Sequence, residues 1–330
     1  MVSRIGTAAL AAALLLCVQP ALSNGEVLRL GSDVWPPFTD SEGRLRVALS
    51  LVEEALGRSG AQPEFVIEED FAVVLSDLRE GTLDGSAAIW RTPERERFLL
   101  FSEPYLESRL VLLGRKGADL SARSLSDLAG KRVAIVEGYG YGDALDRNGG
   151  PDYVEGKSDQ ANLRKLLAGE VDYLLADDLL IHDFFERYGD RADQLLAVSR
   201  LPLLRRPLHF ALRRDLPDAA ERIAKFNEVI EGMIADGTVG RILGVSWLWA
   251  DVDDDGQPEF VLGGQRAGTE EPEDAYVVFG PSEPPTSSQG RRYYVDGKMY
   301  ESWQQVPPRY RVRELDIASR PRAGALLFEW

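Results

Sequence analysis

Cysteine and histidine are nearly absent from this 330-residue sequence, which has one Cys, Cys17, and two His, His182 and His209. That scarcity excludes a zinc site built from thiolates and imidazoles, which needs three or four such ligands. Neither His stands in a motif with a Ser or Cys nucleophile, so a hydrolase triad would need a tertiary coincidence. Both read as packing or surface residues. Positive charge is also short, with 38 Lys and Arg against 54 Asp and Glu and a net charge of −16. This argues against nucleic acid, which requires a basic footprint, and against docking on an anionic lipid surface. Long apolar runs are missing too. Beyond the first 23 residues no stretch approaches the roughly 18 apolar residues of a membrane span.

What is present begins with a leader. Met1–Arg4 is a short basic start, Ile5–Val18 is an apolar run, and Ala21-Leu22-Ser23 offers small residues for a signal peptidase. We expect residues 1–23 to be removed, leaving 307 residues with 37 basic against 54 acidic side chains, a charge of −17. Cys17 lies in the leader behind Leu14-Leu15-Leu16, the wrong context for a lipid anchor. The mature chain would then be exported, periplasmic, free of disulfides and without membrane insertion. At 44% hydrophobic residues it has material for two cores and a smaller appendage.

The following segments alternate strand and helix. Strands are expected at Val27–Gly31, Glu64–Ile67, Asp84–Ile89 and Leu110–Leu113, with helices at Val47–Gly57 and Phe71–Arg79, the latter closed by Gly81. A second unit repeats the rhythm with strands at Lys131–Val136, Val171–Ala176 and Leu208–Leu212. Its helices are expected from Asp143, over Ala161–Ala168, Asp177–Tyr188, Leu216–Ile234 and Val239–Leu243. Such βα alternation predicts α/β sheets with crossover helices. After Trp247 the chain turns rich in Asp, Gly, Pro and aromatics, and Tyr293–Tyr300 reads as a hairpin through a type I′ turn at Asp296-Gly297.

The run Gly81–Tyr105, GTLDGSAAIWRTPERERFLLFSEPY, carries Thr92, Arg95, Phe101, Ser102, Pro104 and Tyr105 in a Thr-x-x-Arg…Phe-Ser-x-Pro-Tyr pattern. With Trp35-Pro36-Pro37-Phe38, Gly138 and the closing Gly237…Ile242…Trp247, residues 27–247 resemble periplasmic solute-binding proteins of family 3, the polar amino-acid receptors of ABC importers. The resemblance implies an α/β, two-lobed type II periplasmic binding protein (Venus flytrap) fold, here with a small β-rich C-terminal appendage. Lobe one would take residues 24–112 and 206–248, lobe two 113–205, and the extension 249–330. A monomer would trap a small carboxylated ligand between the lobes for the membrane permease of an ABC transporter.

The resemblance gives Arg95 the ligand's carboxylate, a task suited to the planar guanidinium fork; otherwise it is one surface Arg in a charged run. It gives Asp177 the ligand's α-ammonium. Asp177 could instead cap the next helix, although Asp178 is the better cap candidate. Trp35 and Phe71 align with aromatic residues that sandwich the ligand's side chain, or else pack in the core. Gly138 and Tyr139 follow a strand and precede a helix, where backbone N–H groups can form an anion nest. One departure concerns Trp90, which stands where the receptors carry Ser or Thr, with Ala88 two residues before it on the same strand face. An indole supplies one N–H and much volume, so the ligand is expected to be smaller, aromatic, or other than an α-amino acid. Some relatives are exported cyclohexadienyl dehydratases; here Glu137 and Asp178 are the candidate general acids. A ligand sensor reporting to a membrane receptor is a further alternative.

The extension holds Asp251-Val252-Asp253-Asp254-Asp255-Gly256-Gln257-Pro258-Glu259. Asp251, Asp253, Asp255, the Gln257 carbonyl and Glu259 have the spacing of an oxygen cage for Ca²⁺, with Gly256 permitting the tight turn. Leu262 at position 12 excludes an EF-hand, and the loop looks like the D-x-D-x-D-G-x-x-[DE] loops of calcium-binding β-rich repeats. The alternative is a solvated acidic linker.

Overall fold

The computed structural model describes residues 27–40, 46–137, 139, 141, 145, 149–264, 267–273, 275–279, 284–285 and 287–311. The leader, Gly138 and most of the helix expected from Asp143 lie outside the described residues. Among those described, no helix is long and apolar enough to cross a membrane.

Eight strands form the path of the main sheet in the order β2 (Gln62–Glu68), β1 (Val27–Asp33), β3 (Gly85–Trp90), β10 (Leu204–Arg213), β5 (Leu106–Arg115), β8 (Tyr173–Asp177), β6 (Arg132–Val136) and β7 (Asp152–Gly156). β4 (Leu99–Phe101) adds to β10 and β9 (Leu196–Val198) to β5. β1 is parallel to β2 and β3, and β6 is parallel to β7 and β8. Between these two parallel halves run β5 and β10, antiparallel to each other. β5 pairs with β10 over Leu106–Leu110 and with β8 over Leu110–Gly114, so Leu110 belongs to both ladders. Both strands are longer than the apolar runs Leu110–Leu113 and Leu208–Leu212 suggest. The added lengths carry Glu107, Arg109 and Arg205, whose ion pairs accompany strand positions in residues that read as non-strand.

Local chemistry sets the helices. α1 (Val47–Arg58) buries its Leu49, Val52 and Leu56 stripe. α2 (Phe71–Glu80) starts where the Asp70 carboxylate accepts the Ala72 N–H and stops at Gly81, φ 85°. α3 (Asp159–Ala168) is capped by Ser158. α4 (Asp178–Leu195) corrects the expected cap: Asp177, not Asp178, holds the position, its carboxylate accepting the Leu179 N–H at 2.9 Å. The reason is that Asp178 faces Arg109 instead, at 2.5 Å. α5 (Ala219–Ala235) and α6 (Thr238–Leu243) complete the first half.

A second sheet has the order β13 (Tyr276–Val277), β11 (Trp247–Ala250), β12 (Glu259–Leu262), β14 (Tyr293–Val295), β15 (Lys298–Tyr300). The β14–β15 turn has positive φ at Asp296 (52°) and Gly297 (75°), as a type I′ turn requires. Period-two alternation divides its side chains. Leu248, Ala250 and Val261 face the main core, while Trp247, Trp249, Phe260 and Tyr293 form an aromatic cluster with Trp303. The sheet meets α6 backbone to backbone, because a Cβ on Gly240 would stand 2.2 Å from the Gly263 Cα. The C-terminal region is therefore packed onto the first half.

Candidate functional site

The site forms where β1 and β3 end. β1 delivers Asp33, and the chain then turns through Trp35–Thr39, closed by the Trp35 N–H on the Thr39 carbonyl at 2.9 Å. Thr39 Oγ1 donates back to the Asp33 carbonyl at 2.6 Å. β3, buried at all six residues, delivers Ala88 and Trp90. The Arg95 N–H donates to Thr92 Oγ1 at 3.3 Å, which winds the short turn after β3, and Arg95 Nη1 donates to the Trp90 carbonyl at 2.7 Å. The Thr-x-x-Arg spacing thus serves to aim the guanidinium.

The rest of that motif is structural. Tyr105 is buried and donates its hydroxyl to the Ala87 carbonyl at 2.9 Å, and Ser102 Oγ accepts the Phe210 N–H at 3.0 Å. The Ser102 carbonyl meets His209 Nδ1 at 2.8 Å. Burial lowers the His209 pKa, so the ring is neutral and Nδ1 is the donor. His182 is exposed on α4.

Six of the sequence-predicted residues, Trp35, Phe71, Ala88, Trp90, Arg95 and Tyr139, line one cleft. Trp35 meets Trp90 edge-on at 5.4 Å between ring centroids, and Tyr139, from beyond β6, closes on Trp35 at 5.6 Å and on Trp90 at 6.3 Å. Tyr141 stands 6.1 Å from Trp90 and completes an aromatic wall reaching across the two halves of the main sheet. These rings leave a free space of only about 40 Å³. Trp90 also lines a larger, open pocket of about 290 Å³, together with Arg91, Glu103, Arg206 and His209. Among the described residues the buried Trp90 indole N–H has no hydrogen-bond partner, an arrangement that favours an acceptor brought by a ligand.

Asp33 also lines the cleft, and sequence reasoning missed it. Burial pushes its carboxyl up to about 6, opposed by its own backbone N–H and by Arg95. Burial likewise lowers the pKa of Arg95, which stays charged. The signal available in the sequence was the acid closing an apolar strand at the carboxyl end of a parallel sheet, where such sheets place ligands. A second missed acid is Asp159 at the start of α3, pushed up to about 7 by desolvation. Burial raises the Tyr139 phenol well above its ordinary range, and the carboxylates of Asp159, Asp33 and Asp177 add to the effect.

Asp177 is buried and does not line the cleft. Its Oδ2 accepts from Ser108 Oγ at 2.8 Å and its Oδ1 from the Leu179 N–H. Burial, then the charge of Asp178, raises its carboxyl well above the usual range. Of the two dehydratase candidates, Glu137 is exposed at the end of β6 and Asp178 is held by Arg109.

In the acidic loop, carboxylate oxygens of Asp251, Asp253 and Glu259 lie within 4.8 Å of one another. Among the described residues Asp251 Oδ1 is buried without a partner, while Oδ2 accepts the Gly256 N–H at 2.7 Å. Those three residues fit a hard cation. The other two predicted ligands are engaged by Arg292, which donates to Asp255 at 2.7 and 3.0 Å and also reaches the Gln257 carbonyl. It touches Glu259 Oε2 at 3.0 Å as well, so a guanidinium supplies the positive charge that the loop's repulsion demands. Burial pushes Glu259 up to about 7.

Comparison with known proteins bears on both geometry and fold. The family described as bacterial extracellular solute-binding proteins, family 3, matches residues 28–247. The L-cystine-binding protein TcyJ of Escherichia coli K12 is 31% identical over 160 residues, 48% of this chain; the chain spans 57% of that protein's length. A Haemophilus influenzae protein named "Probable amino-acid ABC transporter-binding protein" is 27% identical over 233 residues, 69% of this chain and 86% of that one. Among solved structures, the GluR0 ligand-binding core in complex with L-glutamate matches with a TM-score of 0.57 and 21% identity, covering 67% of this chain and 98% of that one. That likeness shows the fold: an α/β type II periplasmic binding protein, to which this chain adds a small C-terminal β-sheet.

Proposed function

The chain belongs to the bacterial extracellular solute-binding proteins, family 3, and on that premise we propose that it binds a small carboxylated solute, an amino acid or close relative, for delivery to an ABC importer. The observation that carries this reading is the Arg95 guanidinium, aimed by the Trp90 carbonyl into an aromatic cleft that also holds Asp33. A bidentate fork on one side and a carboxylate on the other suit a zwitterion. Arg95 takes the carboxylate, Trp90 Nε1 donates to it, and Asp33, which lines the cleft, receives the ammonium, with Asp177 joining once it gives up Ser108. Trp35 and Tyr139 stack on the side chain, and the Tyr139 backbone adds a donor.

In this reading lobe one comprises residues 24–112 and 206–248, lobe two 113–205, and the extension 249–330. The protein acts as a periplasmic monomer and does no chemistry. The acidic loop takes Ca²⁺ through Asp251, Asp253 and Glu259, with Asp255 and Gln257 joining once Arg292 withdraws. The buried, unpartnered Asp251 Oδ1 supports that assignment.

Thermal unfolding against L-cystine, L-glutamate, L-arginine and the remaining amino acids tests the reading, together with native mass spectrometry of the purified protein. At least one amino acid should raise the melting temperature by linkage. No stabilisation across the set, with no carboxylated small molecule retained, would reject it.

A further inference from the structure

The segment in which β5 and β10 pair, Leu106–Leu110 with Leu204–Leu208, joins the two halves of the main sheet. One side of it is occupied by the C-terminal sheet. The Tyr276 ring of β13 lies 5.4 Å from the Arg109 guanidinium carbon, and its hydroxyl donates to the Glu107 carbonyl at 3.4 Å. Arg109 reaches across to Asp178 Oδ2 at 2.5 Å, the first residue of α4 in the other half. Ser108, between them in sequence, holds Asp177 at 2.8 Å. Glu107 is tied to Arg205 on the companion strand at 2.8 Å. β13 itself is anchored, since Tyr276 pairs with Leu248 of β11 and that sheet abuts α6 at Gly240 and Gly263.

A fixed aromatic ring therefore stands on one side of Arg109 and a carboxylate from the opposite half on the other. The Arg109 and Asp178 side chains are each only 17% exposed. Removing either partner would leave the other charge largely buried and unpaired, which is strongly unfavourable. The ring holds the guanidinium ready for Asp178, reducing the ordering cost of that contact.

We propose that Tyr276 and Arg109 are positioning residues of the binding site. Through them the C-terminal sheet fixes the start of α4, which carries Asp177, and ties the two halves together. The inference rests on the solute-binding reading for its effect on affinity, while its mechanical part is measurable without ligand.

The experiment combines amide hydrogen exchange on the unliganded full chain with calorimetric titration of L-cystine, L-glutamate and L-arginine. Tyr276→Leu keeps apolar bulk and removes the ring face. It should speed exchange at residues 177–181 about threefold or more, and weaken any probe that binds by about three- to tenfold. Tyr276→Phe keeps the ring and should behave as wild type in both measurements. Arg109→Lys, which keeps the charge but lacks the planar face, should repeat the Tyr276→Leu pattern. Exchange changes confined to β11 and β13, with 177–181 at wild-type rates, would overturn the proposal whether or not a probe binds. Altered exchange at 177–181 with no probe binding to wild type would support the hinge contact and count against the amino-acid reading alone.

Discussion

The Arg95 guanidinium carbon stands 5.1 Å from the centre of the Phe71 ring, at the first residue of α2. With one guanidinium nitrogen spent on the Trp90 carbonyl, the ring face is what fixes the plane of the fork. Phe71 thus serves the site largely through Arg95, between the two readings that sequence left open for it. The pairing also explains why α2 begins where it does: Asp70 caps the helix and thereby sets the ring beside the cleft.

Replacing Arg95 by Ala should abolish ligand-induced thermal stabilisation, since no other cation lines the cleft among the described residues. Phe71→Ala should weaken binding about fivefold to tenfold, the worth of a partly desolvated cation–π contact. Titration calorimetry distinguishes the two. Wild-type affinity in Arg95→Ala would remove the carboxylate assignment.

Trp90 lines both the 40 Å³ space and the 290 Å³ pocket. Trp90→Ser should join them and admit amino acids with longer side chains than wild type accepts. Loss of a buried indole should also lower stability, by about 3 kcal/mol. A thermal-shift panel on both proteins measures both effects. An unchanged ranking of ligands would mean that Trp90 does not set size selectivity.

Asp33 gives the site a pH dependence of definite sign. Its carboxyl titrates near 6 in the folded chain against 3.8 ordinarily, because burial disfavours the anion. Between those values the folded state holds a proton that the unfolded chain has released. The group's stabilising contribution is therefore full below about pH 4 and is lost as pH rises through 6. Asp33→Asn should flatten that slope and stabilise the unliganded protein at pH 7 by about 2–3 kcal/mol. Binding of a cationic group beside Asp33 requires the anion, so wild-type affinity should fall below pH 6, up to tenfold per unit. Chemical denaturation and titration at pH 4 to 7 check both. A slope equal in Asp33→Asn and wild type would show that Asp33 does not titrate there.

The parts of this site that were legible in the sequence are those built by neighbours. Thr92 and Arg95 lie in one turn, Ala88 and Trp90 on one strand, and Asp296-Gly297 specifies its hairpin from two residues. What escaped depends on distance along the chain. Tyr276 meets Glu107 across 169 positions and Arg292 meets Asp255 across 37, and no local pattern marks either pair. The cap at α4 was misassigned by one residue because capping propensity is the same for adjacent Asp residues. The partner that separates them, Arg109, lies on another strand. Asp33 was passed over because an acid at a strand end reads as turn chemistry until the fold buries it.

A calcium ion in the acidic loop would compete with Arg292 for the same oxygens, and the competition has a measurable direction. In wild type the guanidinium holds Asp255, the Gln257 carbonyl and Glu259, so an ion must displace it to gain the full set. Arg292→Ala removes that competitor and leaves the carboxylates of Asp251, Asp253 and Glu259 close together. In chelator the variant should therefore melt below wild type, since its loop charges lack a counterion. Added Ca²⁺ should raise its melting temperature by about 2 °C or more, and by more than it raises wild type. Asp251→Asn should blunt the Ca²⁺ response in both backgrounds while leaving Arg292 its partners. If Ca²⁺ moves neither protein, the loop is closed by Arg292 alone and the acidic motif is a structural clasp between β12 and β14.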